Sequence, residues 1–310
     1  MRISFGFALG IAGWFTTWGP LSADDFKLPP DCTLPFDNIA TKPDPAAGCG
    51  FDGSGTGGAA LTPDKVLEDH AKNNFCGDAS DITTVSFSIL KQMQAKAPPK
   101  GPLASSRDSL HNFFQISGKK IGEGNVVRLL AFVKEAHISD CEAGEDVNCK
   151  TKGVPNNDFH IPLVDPSKRN ARNLPECTSV TAEMSPHFRP AKWSEIDLKT
   201  PINPVRVTGQ LFYDNSHEPC QMKNGVLTGP GPQRISLWEI HPVYALDVCT
   251  SSDAAKCDVT NDSSETWVPY DQWVDANPDK VQATGQKQRE ACGGTGAHRS
   301  TRKKPGKAHS

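Results

Sequence analysis

The chain has 310 residues and a formal net charge of −3, and 36% of its residues are hydrophobic. This near-neutral balance excludes a protein that binds nucleic acid through its bulk charge. Ten cysteines favour an oxidising compartment over the cytosol.

Residues 1–23 are typical of a secretory signal peptide. Arg2 supplies the basic start, residues 5–18 are apolar and uncharged, and small residues precede a cleavage point ahead of Asp24. The apolar run is shorter than the roughly 20 residues that a transmembrane helix requires. The sequence therefore predicts a secreted or periplasmic protein with no transmembrane segment after signal removal. An uncleaved N-terminal anchor is the alternative.

Residues 24–60 are predicted to form a Pro/Gly-rich arm. Its glycine run over residues 53–58 lacks the Gly-Lys-Ser/Thr ending of a phosphate-binding loop, and no strand pattern precedes it. A flexible linker is the favoured interpretation of this run.

Residues 61–124 are predicted to be a helical segment that packs on the following domain. Thr62 is a good N-cap, and Pro63 suits the first helical position. A second helix is predicted over residues 85–96, ahead of a Pro-Pro pair, and a short third helix over residues 106–114.

Residues 125–275 are predicted to form the β domain. Its five strands are predicted at residues 126–138, 159–164, 178–184, 205–213 and 235–248. Five strands with long variable loops, the first strand longest and Gly209 available for a bend, favour a five-stranded OB-fold-like barrel. The predicted fold class is thus mainly β, with a helical N-terminal part and disulfide-tied loops.

The end of the chain changes character twice. Trp267, Tyr270 and Trp273 form an aromatic patch that is expected to pack onto the core rather than to stack on a ligand. Residues 276–310 are predicted to be a disordered basic tail, with eight Lys or Arg and one Glu from Lys280 onward. An anionic polymer or an envelope component is the partner that such a tail would suit.

The ten cysteines are an even number and all follow the predicted signal: Cys32, Cys49, Cys76, Cys141, Cys149, Cys177, Cys220, Cys249, Cys257 and Cys292. They predict up to five disulfides, since no Cys-x-x-Cys pair points to structural zinc. The pairs Cys141–Cys149 and Cys249–Cys257 close short loops. Cys149–Cys177 and Cys220–Cys249 are competing pairs.

Acidic and histidine side chains recur at strand spacing in the β domain. Residues two apart lie on one face of a strand, so Asp158 shares a face with His160, and Glu239 shares a face with His241. The candidate binding face comprises Asp158, His160, Glu183, His187, Arg189, Asp214, His217, Glu239 and His241. Candidate metal ligands within or beside it are His160, His217, His241, Glu183, Glu239 and Asp214.

Several interpretations of this face stay open. It is either an ordinary solvated face, or a buried hydrogen-bond network that pins loops to strand ends, or a functional site. As a site, its imidazoles and carboxylates suit zinc, manganese or iron, which activate water for hydrolysis, and Arg189 would hold an anionic substrate. Without a metal, the face would bind an oligonucleotide, an oligosaccharide or an envelope component. No catalytic residue is assigned, because no serine-nucleophile elbow or catalytic-cysteine context is present.

Four strings of the β domain are long and distinctive: NDFHI, ECTSVTAEMSPHFRP, PVRVTGQLFYDNSHEPC and LWEIHPVYALDVC. Together with KNNFC near Cys76, they resemble a family of uncharacterised exported bacterial proteins, over roughly residues 60–275. At fold level the pattern is also similar to staphylococcal-nuclease-like and other OB-fold barrels. The calcium-binding and arginine residues of such a nuclease do not map onto this chain one by one, so this likeness is an analogy of fold.

The sequence thus leads to two functional expectations. The first is an exported OB-fold-like binding domain of unknown ligand, with an acid- and histidine-rich face. The alternative is a metal-dependent hydrolase that resembles a nuclease or phosphodiesterase, with a divalent metal as its only expected cofactor.

Overall fold

The computed structural model describes Gly53 and residues 62–75, 77–78, 80–97, 107–139, 142–168, 170–186, 189 and 200–282. The helices in this part of the chain are α1 (Pro63–Lys72), α2 (Phe87–Lys96) and α3 (Tyr270–Ala276). The strands are β1 (Thr83–Val85), β2 (Phe114–Ile116), β3 (Lys119–Ile121), β4 (Val126–Val133), β5 (His137–Ile138), β6 (Phe159–Val164), β7 (Val180–Met184), β8 (Thr200–Pro201), β9 (Val205–Tyr213), β10 (Gln221–Lys223), β11 (Val226–Thr228), β12 (Trp238–Cys249), β13 (Trp267–Pro269) and β14 (Val281–Gln282). The predicted signal peptide and nearly all of the predicted Pro/Gly-rich arm lie outside the described residues.

The first two helices begin at residues whose side chains cap them. Thr62 Oγ1 accepts a hydrogen bond of 3.3 Å from the backbone N–H of Lys65, as the sequence predicts for α1. Ser86 caps α2 in the same way, through the N–H of Ile89. The second helix therefore begins at Phe87, and Val85, predicted as its first residue, instead ends β1.

The predicted third helix over residues 106–114 is wrong. Residues 108–110 form only a single 3-10 turn, and Phe114 begins β2, which pairs with β3 as a tight hairpin. Its two loop residues, Ser117 and Gly118, both have positive φ, at 47° and 89°. That conformation is the one that matches the twist of a two-residue hairpin. The end of the predicted helix, at Phe114, therefore belongs to a paired strand.

Eight strands form one mixed sheet. The main path runs β1–β4–β9–β12–β7–β6–β5, and β13 pairs with β12. The pairs β1–β4 and β7–β12 are parallel, and the others are antiparallel. A further pairing joins β4 to β6, so the pairings lead from β4 through β9, β12, β7 and β6 back to β4.

The five predicted strands correspond to β4 with β5, then β6, β7, β9 and β12. The second and fourth predictions, for β6 and β9, match the observed bounds. The long first strand is interrupted after Val133 and resumes at His137. Both pieces pair with β6, one at each end of it, so the chain bends while keeping the same neighbour.

Gly209 marks a close approach between β9 and β12. A Cβ at this position would lie 2.3 Å from the carbonyl oxygen of Pro242 and 2.6 Å from Cγ2 of Ile240. The register of β12 against β9 shifts on both sides of Val243, which pairs with Gly209. The bend expected at this glycine is therefore accompanied by an irregularity on the partner strand.

Buried apolar side chains of the large sheet form the core together with α2 and α3. The strand residues include Val127, Leu129, Ile161, Leu163, Ala182, Val207 and Ile240. Helix α2 adds Phe87, Leu90 and Met93, at the spacing that predicted a buried face. Trp267, Tyr270 and Trp273 are buried as well, which confirms that the aromatic patch packs rather than faces solvent.

Regular structure continues past residue 276, the predicted start of the tail. A 3-10 turn over Pro278–Lys280 leads into β14, which pairs with β8. Residues 283–310, which hold most of the predicted basic tail, lie outside the described residues.

Two disulfides are described in full. Cys249–Cys257 confirms one of the short-loop predictions. Cys177 pairs with Cys220, so the competing pairs Cys149–Cys177 and Cys220–Cys249 are wrong. Cys149 is also disulfide-bonded, and Cys141, its predicted partner, lies outside the described residues. Disulfides of this kind are typical of an oxidising compartment. Among the described residues, no helix has the length and apolar character needed to cross a membrane.

Candidate functional site: a buried acid–histidine cluster

Strand register brings the acidic and histidine side chains together. His137 on β5 pairs with His160 on β6, and His160 pairs with Glu183 on β7, so the three residues form a row across the sheet. On the far side of β7, Ala182 pairs with Ile240 of β12, which sets His241 beside Glu183. Asp158, two residues before His160, projects to the same face.

Asp158, Glu183 and His241 are the centre of the cluster. Each residue offers one ligand atom, and the three atoms lie within 4.8 Å of one another. Nδ1 of His241 is 3.0 Å from Glu183 Oε2 and 3.7 Å from Asp158 Oδ2. A tetrahedral ion with bonds of about 2.0–2.2 Å separates its ligand atoms by roughly 3.3–3.6 Å. The two spacings of 3.0 and 3.7 Å lie on either side of this range, so small side-chain shifts would be needed to hold an ion.

The other ring nitrogen of His241 determines where its proton lies. Nε2 is 3.1 Å from the carbonyl oxygen of Lys72, which can only accept, so Nε2 carries a proton. Nδ1 faces the two carboxylates and donates a hydrogen bond of 3.0 Å to Glu183 Oε2. Metal-binding histidines are commonly oriented in this way, through a backbone carbonyl on the distal nitrogen.

Asp158 is held on one side and unsatisfied on the other. Its Oδ1 accepts a hydrogen bond of 2.9 Å from the side-chain amide of Asn148. Its Oδ2 is buried, has no hydrogen-bond partner and faces His241. A buried carboxylate oxygen without a partner is costly, and a bound cation would satisfy it.

Lys72 places a positive charge beside the candidate metal ligands. Its Nζ donates to Glu183 Oε2 at 2.8 Å, from the last residue of α1. Burial opposes ionisation of Glu183, but the charges of Lys72 and His160 outweigh it and hold the pKa of Glu183 well below its usual range. Glu183 is therefore an anion even though it is buried.

Glu145 ties the preceding loop to the cluster. Its carboxylate accepts hydrogen bonds from the Ser139 hydroxyl at 2.7 Å and from the backbone N–H of Asp158 at 2.9 Å. Burial works against its charge, but the hydrogen bond and the charge of His160 lower the pKa of Glu145 to about 2. His160 is thereby placed between two carboxylates, with Nε2 at 3.3 Å from Glu183 and 3.6 Å from Glu145.

The two histidines of the row differ in protonation. Burial lowers the pKa of His160, but the negative charges of Glu183 and Glu145 overcome this and raise it. Burial, together with the positive charge of His160, lowers the pKa of His137 to about 4. The row therefore ends in a neutral imidazole at His137 and carries its positive charge at His160.

A second cluster lies beside the first. Arg234 Nη1 donates to Asp214 Oδ2 at 3.0 Å and to Glu239 Oε2 at 2.7 Å, and both Asp214 and Glu239 are buried. His217 also donates from Nδ1 to Asp214 Oδ2, and Ser216 supports the other oxygen of that carboxylate. The side chain of His217 is 37% exposed, so the ring is partly open to solvent.

The two carboxylates of this second cluster have opposite pKa shifts. Burial disfavours the charge of Asp214, yet the hydrogen bond from His217 and the charge of Arg234 hold its pKa well below the usual range. Burial and the negative charge of Glu183 raise the pKa of Glu239 well above its usual range. Asp214 is thus the ionised partner of Arg234, and Glu239 takes up a proton more readily than an ordinary glutamate.

The polar face is covered rather than solvated. Helix α1 lies over it through Lys72, and the loop over residues 142–158 closes another side through Glu145 and Asn148. Asp158, Glu183, Glu239 and His241 are each at most 1% exposed. Of the two structural interpretations of the sequence pattern, the solvated face is wrong, and the buried network that pins loops to strand ends is present.

The predicted site residues fall into three groups. Asp158, His160, Glu183 and His241 meet in the first cluster, whereas Asp214, His217 and Glu239 belong to the second. Arg189 donates to the carbonyl oxygens of Asn157 and Val154 at 2.8 and 2.7 Å, so its guanidinium fork holds a loop and is not presented to a substrate. His187 lies outside the described residues.

Sequence reasoning missed the residues that reach the cluster from distant segments. These are Lys72 on α1, Glu145 and Asn148 in the loop before β6, and Arg234 before β12. A local pattern could have indicated only Arg234, which is five residues from the acid it binds. The partner of Lys72 is 111 positions away in the sequence.

Asp69 on α1 allows the effect of burial on a carboxyl pKa to be tested. Its side chain is fully buried, with Lys65 Nζ 3.0 Å away. Burial outweighs the attraction of Lys65 and raises the pKa of Asp69 to about 6, from an ordinary value of 3.8.

The folded protein therefore binds a proton at Asp69 more readily than the unfolded chain does. The stability that this confers is present below pH 4 and is lost as the pH rises through 6. Between pH 4 and pH 8, Asp69→Asn should gain about 2–3 kcal/mol in unfolding free energy relative to the natural protein. Urea unfolding of both proteins at the two pH values measures this, and an equal difference at both would contradict the raised pKa.

No protein-family model, curated protein or solved structure matches this chain. The two clusters are therefore interpreted from their own chemistry.

Proposed function

We propose that the protein is an exported binding domain with an OB-fold-like barrel, and that its buried acid–histidine cluster binds a divalent metal ion. The observation that carries the metal proposal is the orphaned Asp158 Oδ2, which faces Nδ1 of a histidine whose other nitrogen is fixed by a backbone carbonyl. One imidazole and two carboxylates suit zinc, manganese or iron.

The strand pairings support the barrel. The pairings lead from β4 through β6, β7, β12 and β9 and return to β4. When the five predicted strands are numbered one to five along the chain, their order in the sheet is 1-2-3-5-4-1. The third and fifth strands, β7 and β12, are the parallel pair. This order and this parallel pair are those of the OB-fold. Export is supported by the disulfides and by the signal-like first 23 residues.

Metal titration of the full chain tests the proposal. After treatment with a chelator and its removal, the protein should bind one Zn²⁺ or Mn²⁺ per chain in calorimetry, and it should melt at a higher temperature with the ion bound. Asp158→Asn and His241→Ala should both abolish this binding. His217→Ala, which removes an imidazole from the second cluster only, is the matched control and should keep it. Equal binding by all four proteins would place the ion elsewhere, and no binding by the natural protein would refute the proposal.

A metal-dependent hydrolase of phosphodiesters is the second candidate. Its specific support is the Asp214–His217 pair, in which a buried carboxylate orients the partly exposed imidazole of His217 through Nδ1. That is the arrangement of a general base. In this case His217→Ala would retain the metal and lose phosphodiesterase activity, whereas an inactive natural protein with bound metal would leave the binding domain as the function.

A further inference from the structure

A cavity of about 440 Å³ lies away from the acid–histidine cluster. It is bounded by the end of β4, the connection from β6 to β7 and the residue after β8. Its lining residues are Phe132, Lys134, Lys168, Asn170, Ala171, Arg172, Asn173 and Ile202. This volume is in the range of cavities that hold small organic ligands.

Two of the three cationic side chains in the lining are fixed by neutral groups. Lys134 Nζ donates to the carbonyl oxygens of Leu174 at 2.8 Å and Arg172 at 3.3 Å. Arg172 in turn donates from Nη1 to the Val133 carbonyl at 2.9 Å and from Nη2 to the Pro201 carbonyl. Carbonyl oxygens hold these cations in place without neutralising their charge.

Among the described residues, those that line the cavity include no carboxylate. Lys168 is exposed at its edge. Glu176 is close enough to feel the charge of Lys134, but it does not line the cavity. Three cations thus surround a concave site with no lining acid to compensate them, which favours an anionic ligand.

The same cavity has an apolar part. The guanidinium carbon of Arg172 lies 5.0 Å from the ring centre of Phe132, and Ile202 is 41% exposed. Phe132 and Ile202 offer an apolar surface for an aromatic or aliphatic group attached to the anion.

The basic C-terminal sequence begins next to this cavity. Strand β14 pairs with β8, and the backbone N–H of Ile202 donates to the Lys280 carbonyl at 3.1 Å. After Gln282 the sequence continues with seven further Lys or Arg residues. The basic residues that line the cavity therefore lie close to the start of a sequence with further basic residues.

We propose that this cavity is a binding site for an organic phosphate, with the phosphate held by Lys134, Lys168 and Arg172 and its substituent packed on Phe132 and Ile202. Phosphate is favoured over a single carboxylate because three cations converge on one site, and a phosphate group offers more charge and more acceptor oxygens to them. The phosphate belongs either to a small ester or to a nucleic-acid strand that the basic C-terminal sequence would follow.

Calorimetry on the full chain with chelator present tests the site, because phosphate then has no metal to bind. The probes are phenyl phosphate, inorganic phosphate and an oligothymidylate of about ten nucleotides. Phenyl phosphate should bind about tenfold more tightly than inorganic phosphate, since only it reaches Phe132 and Ile202. Lys168→Glu should weaken binding at least about tenfold by reversing a charge at the edge of the cavity.

Lys223→Glu is the matched control, with the same charge reversal on the exposed strand β10. It should leave the affinity for phenyl phosphate unchanged. Binding of the oligothymidylate alone, weakened by Lys168→Glu and not by Lys223→Glu, would assign the phosphate to a strand and support the site. Equal weakening by the two variants, or no binding of any probe at millimolar concentration, would overturn the proposal.

Discussion

Replacing Arg234 by Met is expected to lower the free energy of unfolding by about 3–5 kcal/mol. Arg234 is fully buried and is the guanidinium partner of Asp214, whose carboxylate is ionised. Its removal leaves that charge in the interior without its guanidinium partner, and desolvation is not offset. Chemical denaturation at neutral pH measures the loss.

The two acids bound to Arg234 should respond differently. Glu239→Gln should cost less than about 1 kcal/mol, because burial and the nearby Glu183 raise the pKa of Glu239 and so favour the neutral form that glutamine mimics. Arg234→Met combined with Asp214→Asn should be less destabilised than Arg234→Met alone, since the stranded charge is gone. If Glu239→Gln is as damaging as Arg234→Met, Glu239 is ionised and the assignment of charges is wrong.

Replacing Lys72 by Met is expected to cost about 3–5 kcal/mol in the metal-free protein. Its ammonium, 2.8 Å from Glu183 Oε2, is the cation nearest to the candidate metal ligands. A divalent ion at Asp158, Glu183 and His241 would take over the neutralisation of Glu183. The cost of Lys72→Met should therefore shrink when the metal is bound, and the variant should bind the ion more tightly than the natural protein.

Urea unfolding with chelator and with saturating Zn²⁺ measures both costs. Lys65→Met, one to two turns earlier on α1, is the matched control, because Lys65 pairs with Glu68 and Asp69 and is more exposed. Its cost should be the same with and without metal, because neither Glu68 nor Asp69 is a candidate metal ligand. An unchanged cost for Lys72→Met on addition of the ion would mean that the metal does not reach Glu183.

The elements that sequence reasoning predicted well are those in which the signal is local. Alternation of apolar side chains located β6 and β9 at their observed bounds, and Thr62 located the start of α1. The short loop between Cys249 and Cys257 made that disulfide an attractive choice. Each of these features depends on residues a few positions apart, whose geometry the backbone itself imposes.

Features that depend on long-range contacts were missed or misassigned. The hairpin of β2 and β3 is local but was missed too, because the Ser117–Gly118 turn was not recognised and pairing with β3 took Phe114 into a strand. Cys177 joins a cysteine 43 positions away, and nothing in the spacing distinguished that partner from the competing ones. The energy of such a contact comes from the packed fold, so local propensity does not report it.

The acid–histidine face shows where the division lies. Strand spacing by itself determined that Asp158 shares a face with His160, and that Glu239 shares a face with His241. Only the tertiary structure decided that this face is buried, that Lys72 of α1 covers it, and that Asp158, Glu183 and His241 meet at one point. The physical reason is that the side-chain period of a strand fixes which way a residue points, whereas its neighbours depend on strand order and on the helix laid over the sheet.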